Sequence, residues 1–230
     1  MKPQECAILV PVSGMVEPEC EEALSVLRER GYAVQYLRGN AAVDQARNLM
    51  ATRALDRGYK ELFWIDSDIG FSPDDVEKLR AHNLPMVCGL YPKKGERAVA
   101  CHVVPGTHEI VFGKKGGLVE ILYAGTGFLL TRCEVYTKIK TDGNLPTCNV
   151  AFGEGVVPYF LPMVIPHGTG HWYLGEDYAF CERARQSHFQ IFADTTVRLK
   201  HIGRYAYEWE DTGTQLQRYS SFRLNLKPKT

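Results

Sequence analysis

Apolar residues fall along this chain in two regimes. Up to about residue 91, short runs that are apolar at nearly every position alternate with stretches where apolar residues recur every three or four. The runs CAILVPV, YAVQYL, ELFWI and LPMVCGLY read as strands. Between them, Ala23, Leu24, Val26 and Leu27 mark a helix over about Glu17 to Arg30, ended by Gly31. Val43, Ala46, Leu49, Met50 and Ala54 mark a second, with Asn40 as its expected N-cap and Gly58 as its stop. Ser72-Pro73-Asp74-Asp75 opens a third that runs to about His82: a hydroxyl cap, proline at the first helical position and acids in the first turn. Strand alternating with helix predicts a parallel sheet with helices on both faces, in which ligands sit at the carboxyl ends of the strands.

The second regime is more broken. RAVACHVV, EIVFG, LVEILYAG, GFLLTR and VVPYFLP lie among many Gly and Pro, which predicts a mixed or antiparallel extension with long loops, one over residues 140 to 156. GEDYAFCERARQSH reads as a clear helix and FQIFAD as a short strand after it, and the tail beyond His201 is polar and aromatic. No internal repeat or low-complexity segment interrupts the chain.

At 230 residues the chain is long enough to bury a substantial core. Its 27 Lys and Arg balance 27 Asp and Glu, so bulk charge gives no support to broad capture of nucleic acid. CAILVPV is too short to span a bilayer and lacks the flanks of a signal peptide. The seven cysteines are scattered, odd in number and free of CxxC, a pattern that suits reduced thiols and a cytoplasmic address.

Candidate chemistry begins at ELFWIDSDIGFSP, where a strand runs into Asp66 and Asp68. Two carboxylates at this spacing suit a plain turn, a metal site or a nucleophile. A calcium loop fails, because Phe71 stands where the loop needs glycine and a strand, not a helix, precedes it. A phosphatase of the haloacid-dehalogenase kind expects Thr or Val where this chain has Gly70, and its motif on the first strand. A divalent-metal clamp on the diphosphate of a sugar nucleotide fits the spacing, since such an ion neutralises charge on the leaving group.

In sequence order, ILVPVSG, DQARNLMATRAL, ELFWIDSDIGFSPDDV, GLYPKK, AGTGFLLTR, GEDYAFCERAR and LKHIGRYAY cover about residues 6 to 205. Together they resemble glycosyltransferases of the GT-A fold, especially compact bacterial and phage-type members of the family-2-like group. The resemblance implies a single GT-A (Rossmann-like) α/β domain, a mostly parallel sheet flanked by helices with a smaller mixed-strand extension. About 1–100 would be the nucleotide-binding half, about 101–205 the acceptor and catalytic half, and 206–230 a C-terminal tail. It implies Mn2+ (or Mg2+) and a nucleoside-diphosphate sugar, UDP-sugar favoured, as donor. The acceptor could be a saccharide, lipid-linked, protein or small molecule.

Residue by residue, the resemblance makes Asp68 the metal ligand, with Asp66 on the ribose or on a metal-bound water. His201 would complete the shell, and neutral imidazole suits Mn2+ better than Mg2+. Lys200 and Arg204 flank it and could meet phosphate. Asp177 becomes the general base of an inverting transfer and Glu176 an acceptor-binding group, although two acids opening a helix also suit the helix dipole alone. Pro11, Val12, Ser13 and Asp44 would line the nucleotide pocket, with Arg47 reaching toward ribose or diphosphate unless it is a surface helix residue. Lys93 and Lys94 follow the fourth strand, where a cation near the diphosphate makes electrostatic sense, though lysine pairs are also common on surfaces. Gly125 and Gly127 would let backbone approach the sugar or acceptor, or simply form a turn.

In PHGTGHWYLGED, the Gly-Thr-Gly between His167 and His171 argues against a helical zinc pair. A mobile acceptor loop, with His171, Trp172 and Tyr173 at the acceptor, is the expectation. Two other functions remain open: a nucleotidyltransferase, whose Gly-rich, Arg-containing first loop VPVSGMVEPE lacks, and an inactive sugar-nucleotide-binding module, against which Asp66, Asp68, Asp177 and His201 argue together.

Overall fold

The computed structural model describes residues 1–40, 42–203, 205–212 and 221–225. Its first half follows the alternation read from the sequence. In order come β1 (Cys6–Val12), α1 (Pro18–Glu29), β2 (Ala33–Arg38), α2 (Val43–Asp56), β3 (Glu61–Ile65), the two-residue β4 (Ile69–Gly70), α3 (Pro73–Ala81) and β5 (Met86–Gly89). The second half adds β6 (Cys101–Val103), β7 (Glu109–Gly113), β8 (Leu118–Ala124), β9 (Phe128–Arg132) and α4 (Cys133–Asp142). After these come β10 (Met163–His167), β11 (Gly170–Leu174), α5 (Glu176–Gln186), β12 (Ile191–Asp194), β13 (Lys200–Ile202), β14 (Ala206–Tyr207) and β15 (Ser221–Asn225).

Eight strands form one sheet in the order β2-β1-β3-β9-β5-β12-β8-β6. β1 pairs in parallel with β2 and β3, and β12 with β5, whereas β8 and β9 run antiparallel to their neighbours. The expected α/β class holds, and six of the eight strands share one direction. The second half is not a mere extension, however. It inserts β9 between β3 and β5 and adds β12, β8 and β6 beyond them. What is appended is three small sheets: the β10–β11 hairpin, β14-β13-β4, and β15-β7.

β1 and β3 are buried at every position because helices cover both faces of the sheet. Alternation then divides their side chains. Ala7, Leu9, Leu62 and Trp64 join a core with Met50 and Ala54 of α2, Tyr136 of α4 and Phe180 of α5. Ile8, Val10, Phe63 and Ile65 meet Leu24 and Leu27 of α1 and Val76 and Leu79 of α3 on the other side.

Three local expectations need correction. α2 begins at Val43 with Ala42 at the cap and no side-chain cap bond, so Asn40 is not its N-cap. α4, absent from the sequence reading, follows β9 without a break; Val135, Thr137, Ile139 and Thr141 give it strand-like composition. It docks through a buried chain in which Trp64 Nε1 donates to Tyr136 Oη at 2.8 Å and Thr131 Oγ1 lies 2.8 Å from the same oxygen. The tail is also less free than its polarity suggests: Trp209 is buried and β15 pairs with β7. All seven cysteines are free thiols, and among the described residues no helix is long and apolar enough to cross a membrane.

Candidate active site

β3 delivers its aspartates into a tight turn. The Asp66 N–H donates to the Gly127 carbonyl at 3.0 Å, and the Ile69 N–H returns to the Asp66 carbonyl at 3.1 Å. β4 then pairs with β13, setting His201 opposite Ile69, and the Ile202 N–H donates to the Asp68 carbonyl at 2.7 Å. This pairing of distant segments brings His201 Nε2 to 3.6 Å from Asp68 Oδ2. The other ring nitrogen, Nδ1, lies 2.8 Å from the Pro92 carbonyl, which can only accept. Nδ1 therefore donates to that carbonyl, which fixes the ring and turns Nε2 toward the carboxylate. Lys94 Nζ sits 2.6 Å from the same Asp68 oxygen. Burial pushes the Asp68 carboxyl up, but His201 and Lys94 outweigh it and hold it below its usual range.

Asp66 has a different partner. Its Oδ1 accepts from Arg47 Nη2 at 2.8 Å, and Arg47 Nε lies 3.8 Å from Glu176 Oε1. Arg47 is only 2% exposed and its guanidinium lies 5.7 Å from the Trp64 ring centroid. It is thus not a surface residue but a buried cation joining the turn to the start of α5. Its Nε and Nη1 make no hydrogen bond among the described residues. Next to Glu176, the Asp177 carboxyl is half-buried and accepts from the Tyr178 N–H at 2.7 Å. Burial, then the Glu176 charge, pushes it up to about 6. A carboxyl near that value can exchange protons close to neutral pH, as a general base must.

Gly125 and Gly127 make room for Tyr91. A Cβ at Gly125 would meet Tyr91 Oη at 2.5 Å, and one at Gly127 would meet Oη at 2.6 Å and Asp66 Oδ2 at 3.0 Å. The Gly127 N–H donates to Tyr91 Oη at 2.9 Å, and the Tyr91 ring meets His201 edge-on with centroids 5.2 Å apart. Tyr91 thus wedges between the aspartate turn and the histidine. In the sequence, its one signal is its place just past the fourth strand, in GLYPKK.

The segment around His171 is a β-hairpin, not a mobile loop, and Pro166 pairs with His171 across it. Strand alternation turns Trp172 inward, where its ring centroid lies 4.8 Å from His102 and 5.5 Å from Tyr123. His171 and Tyr173 face outward, Tyr173 at 68% exposure opposite Val164. Of the expected nucleotide residues, Pro11 and Val12 are buried at the end of β1 and Ser13 is exposed just beyond. That loop abuts the aspartate turn through the Glu17 N–H, which donates to the Ser67 carbonyl at 2.8 Å. Asp44 is half-buried on the first turn of α2, three residues before Arg47.

Two of the expected cations have carboxylate partners. Lys93 faces Glu96 at 3.7 Å, leaving Lys94 as the lysine at Asp68, and Lys200 pairs with Glu19 at 3.1 Å. Arg204 lies outside the described residues. Of the three expected metal ligands, Asp68 and His201 come together, while Asp66 is committed to Arg47 through Oδ1. Among the described residues no group of three His, Cys, Asp or Glu side chains suited to a metal converges. The donor pair nonetheless fits a divalent ion. An imidazole whose far N–H is fixed by a carbonyl, as His201 Nδ1 is by Pro92, is the usual arrangement of a metal-binding histidine. Two atoms each ~2.1 Å from one ion lie up to ~4.2 Å apart, which admits the observed separation.

No known protein family matches the chain, and no curated protein does. Among solved structures, the chain is similar to A197 from STIV at 18% identity and a TM-score of 0.61, over 93% of this chain and 97% of that one. Other likenesses are looser. GalNAc-T7 with UDP, GalNAc and Mn2+ gives 10% identity and a TM-score of 0.44 over 89% of this chain and 44% of that chain. TarS 1–349 of S. aureus gives 13% and 0.40 over 90% and 61%. Scores of this size carry no argument, and an 18% identity speaks to fold and not to chemistry. The chain shares its fold with A197 from STIV over nearly the whole length of both.

Proposed function

We propose that this chain is a divalent-metal-dependent glycosyltransferase of the GT-A type. It would move a sugar from a nucleoside-diphosphate sugar, UDP-sugar favoured, to an acceptor hydroxyl with inversion. The observation that carries this reading is the convergence of Asp68 and a carbonyl-oriented His201 at the carboxyl end of β3. A divalent ion held by Asp68 and His201 would offset the charge on the departing diphosphate. The Ser13 loop and Asp44 border the nucleotide, and Lys94 supplies a further cation beside its phosphates. The outward side chains of the β10–β11 hairpin, His171 and Tyr173, offer an acceptor platform directly before α5.

Asp177 takes the proton of the acceptor hydroxyl as its oxygen bonds to the anomeric carbon. The bond from that carbon to the diphosphate oxygen breaks, and the nucleoside diphosphate leaves with the electron pair. Glu176 neighbours this base and, through Arg47, ties it to the aspartate turn. Asp68→Ala is expected to abolish Mn2+-dependent hydrolysis of the donor, measured as release of nucleoside diphosphate. Undiminished release by that variant, or by the wild type in EDTA, would remove the metal from the account.

A further inference from the structure

One short loop serves Asp68 twice. Residues 92 to 99 fold back on themselves: Pro92 bridges Val99, and the Lys93 N–H donates to the Ala98 carbonyl at 2.8 Å. Gly95 supplies the left-handed turn, with φ +73°. From the start of the loop the Pro92 carbonyl orients His201, and two residues later Lys94 Nζ reaches the Asp68 oxygen that faces His201 Nε2. The Lys94 stem lies over Gly203, where an added Cβ would meet its Cδ at 3.4 Å and Nζ at 3.7 Å. The ammonium therefore stands on the carboxylate oxygen nearest His201, where an ion held by Asp68 and His201 would have to sit.

A divalent ion and an ammonium on one oxygen repel each other, and one of them must yield. Lys94 can, being 36% exposed on a flexible four-carbon stem. The displaced ammonium could turn to the anionic diphosphate of a bound donor, whose charge it would offset. We propose that Lys94 and a divalent cation are alternative occupants of Asp68, and that loading the cation hands the Lys94 ammonium to the donor phosphates. The exchange rests on the metal-dependent reading above. It makes cation and donor bind cooperatively, since each rewards the same displacement and coupling between two ligands is reciprocal.

The test is a titration of Mn2+ followed by loss of the free-ion electron paramagnetic resonance signal, with and without UDP. Wild type is compared with Lys94→Met, Lys94→Arg and Asp68→Asn, with melting temperatures confirming that each is folded. Without nucleotide, Lys94→Met is expected to bind Mn2+ roughly three- to tenfold more tightly than wild type, as befits a lost, partly exposed counter-ion. In this variant UDP should tighten Mn2+ binding less than in wild type, and Lys94→Arg should stay near wild type. Equal or weaker Mn2+ binding by Lys94→Met, with binding abolished in Asp68→Asn, overturns the exchange and leaves the metal at Asp68 standing. Mn2+ binding unchanged in Asp68→Asn, or absent from wild type and Lys94→Met even with UDP, overturns both.

Discussion

Asp177 is held where its charge is costly. Its carboxyl keeps a proton up to about pH 6 when folded, against an ordinary value of 3.8. The folded state therefore binds more protons between those values, and stability falls as pH rises through that window. Above it the full penalty, about 3 kcal/mol, is present. Asp177→Asn removes the charge and is expected to raise stability at pH 7.5 by ~1–3 kcal/mol, with the gain vanishing near pH 4, while transfer stops. Urea unfolding at both pH values, beside turnover, checks it; an equal gain at both, or surviving turnover, would speak against the assignment. Gly127 makes the opposite kind of demand. Alanine there drives a methyl into Tyr91 and toward Asp66, so Gly127→Ala should cost ~1–3 kcal/mol and weaken donor binding as well. A variant that is merely less stable, with donor affinity intact, would show that the wedge does not position the site.

Among the helices, α2 buries the polar Arg47, Asn48 and Thr52 beside the apolar Ala46, Met50, Ala51 and Ala54. Asn48 Oδ1 accepts from the Phe160 N–H at 2.7 Å, and Thr52 Oγ1 accepts from the Val157 N–H at 3.1 Å. These side chains stand in for strand partners along VVPYFLP, an apolar run that forms no named strand. Asn48→Ala leaves a buried N–H unpaired and is expected to cost ~1–3 kcal/mol in urea unfolding; no change would mean that the segment carries its own weight. The elements best read from sequence were those specified locally. Ser72 caps α3, with Pro73 in the first turn, because that chemistry is complete within four residues. The insertion of β9 between β3 and β5 was not legible, since strand order depends on distant partners. Nor was α4, whose β-branched residues speak for a strand until Tyr136 finds Trp64.

Over the whole molecule, the shared direction of six strands gathers the ends of β1, β3 and β5 along one edge of the sheet. Ser13, the aspartates and the Tyr91–Lys94 stretch all follow those ends, and β13 brings His201 back to join them. The motif residues were legible as types; their pairings were not. Which lysine of two faces Asp68, and that Arg47 is buried against Asp66, depend on side-chain direction in the folded chain. A neutral overall charge concealed this local matching of acids and bases.

Binding of a nucleotide sugar at this edge, through Asp68 and a divalent ion, should be visible as a thermal shift. UDP-, GDP- and CDP-sugars are compared with and without Mn2+, on wild type and Asp68→Ala. The account predicts that at least one donor with Mn2+ raises the wild-type melting temperature by roughly 5–10 °C at a hundredfold excess over Kd, and that EDTA or Asp68→Ala removes the shift. No shift with any nucleotide sugar, or the same shift in Asp68→Ala, would contradict it.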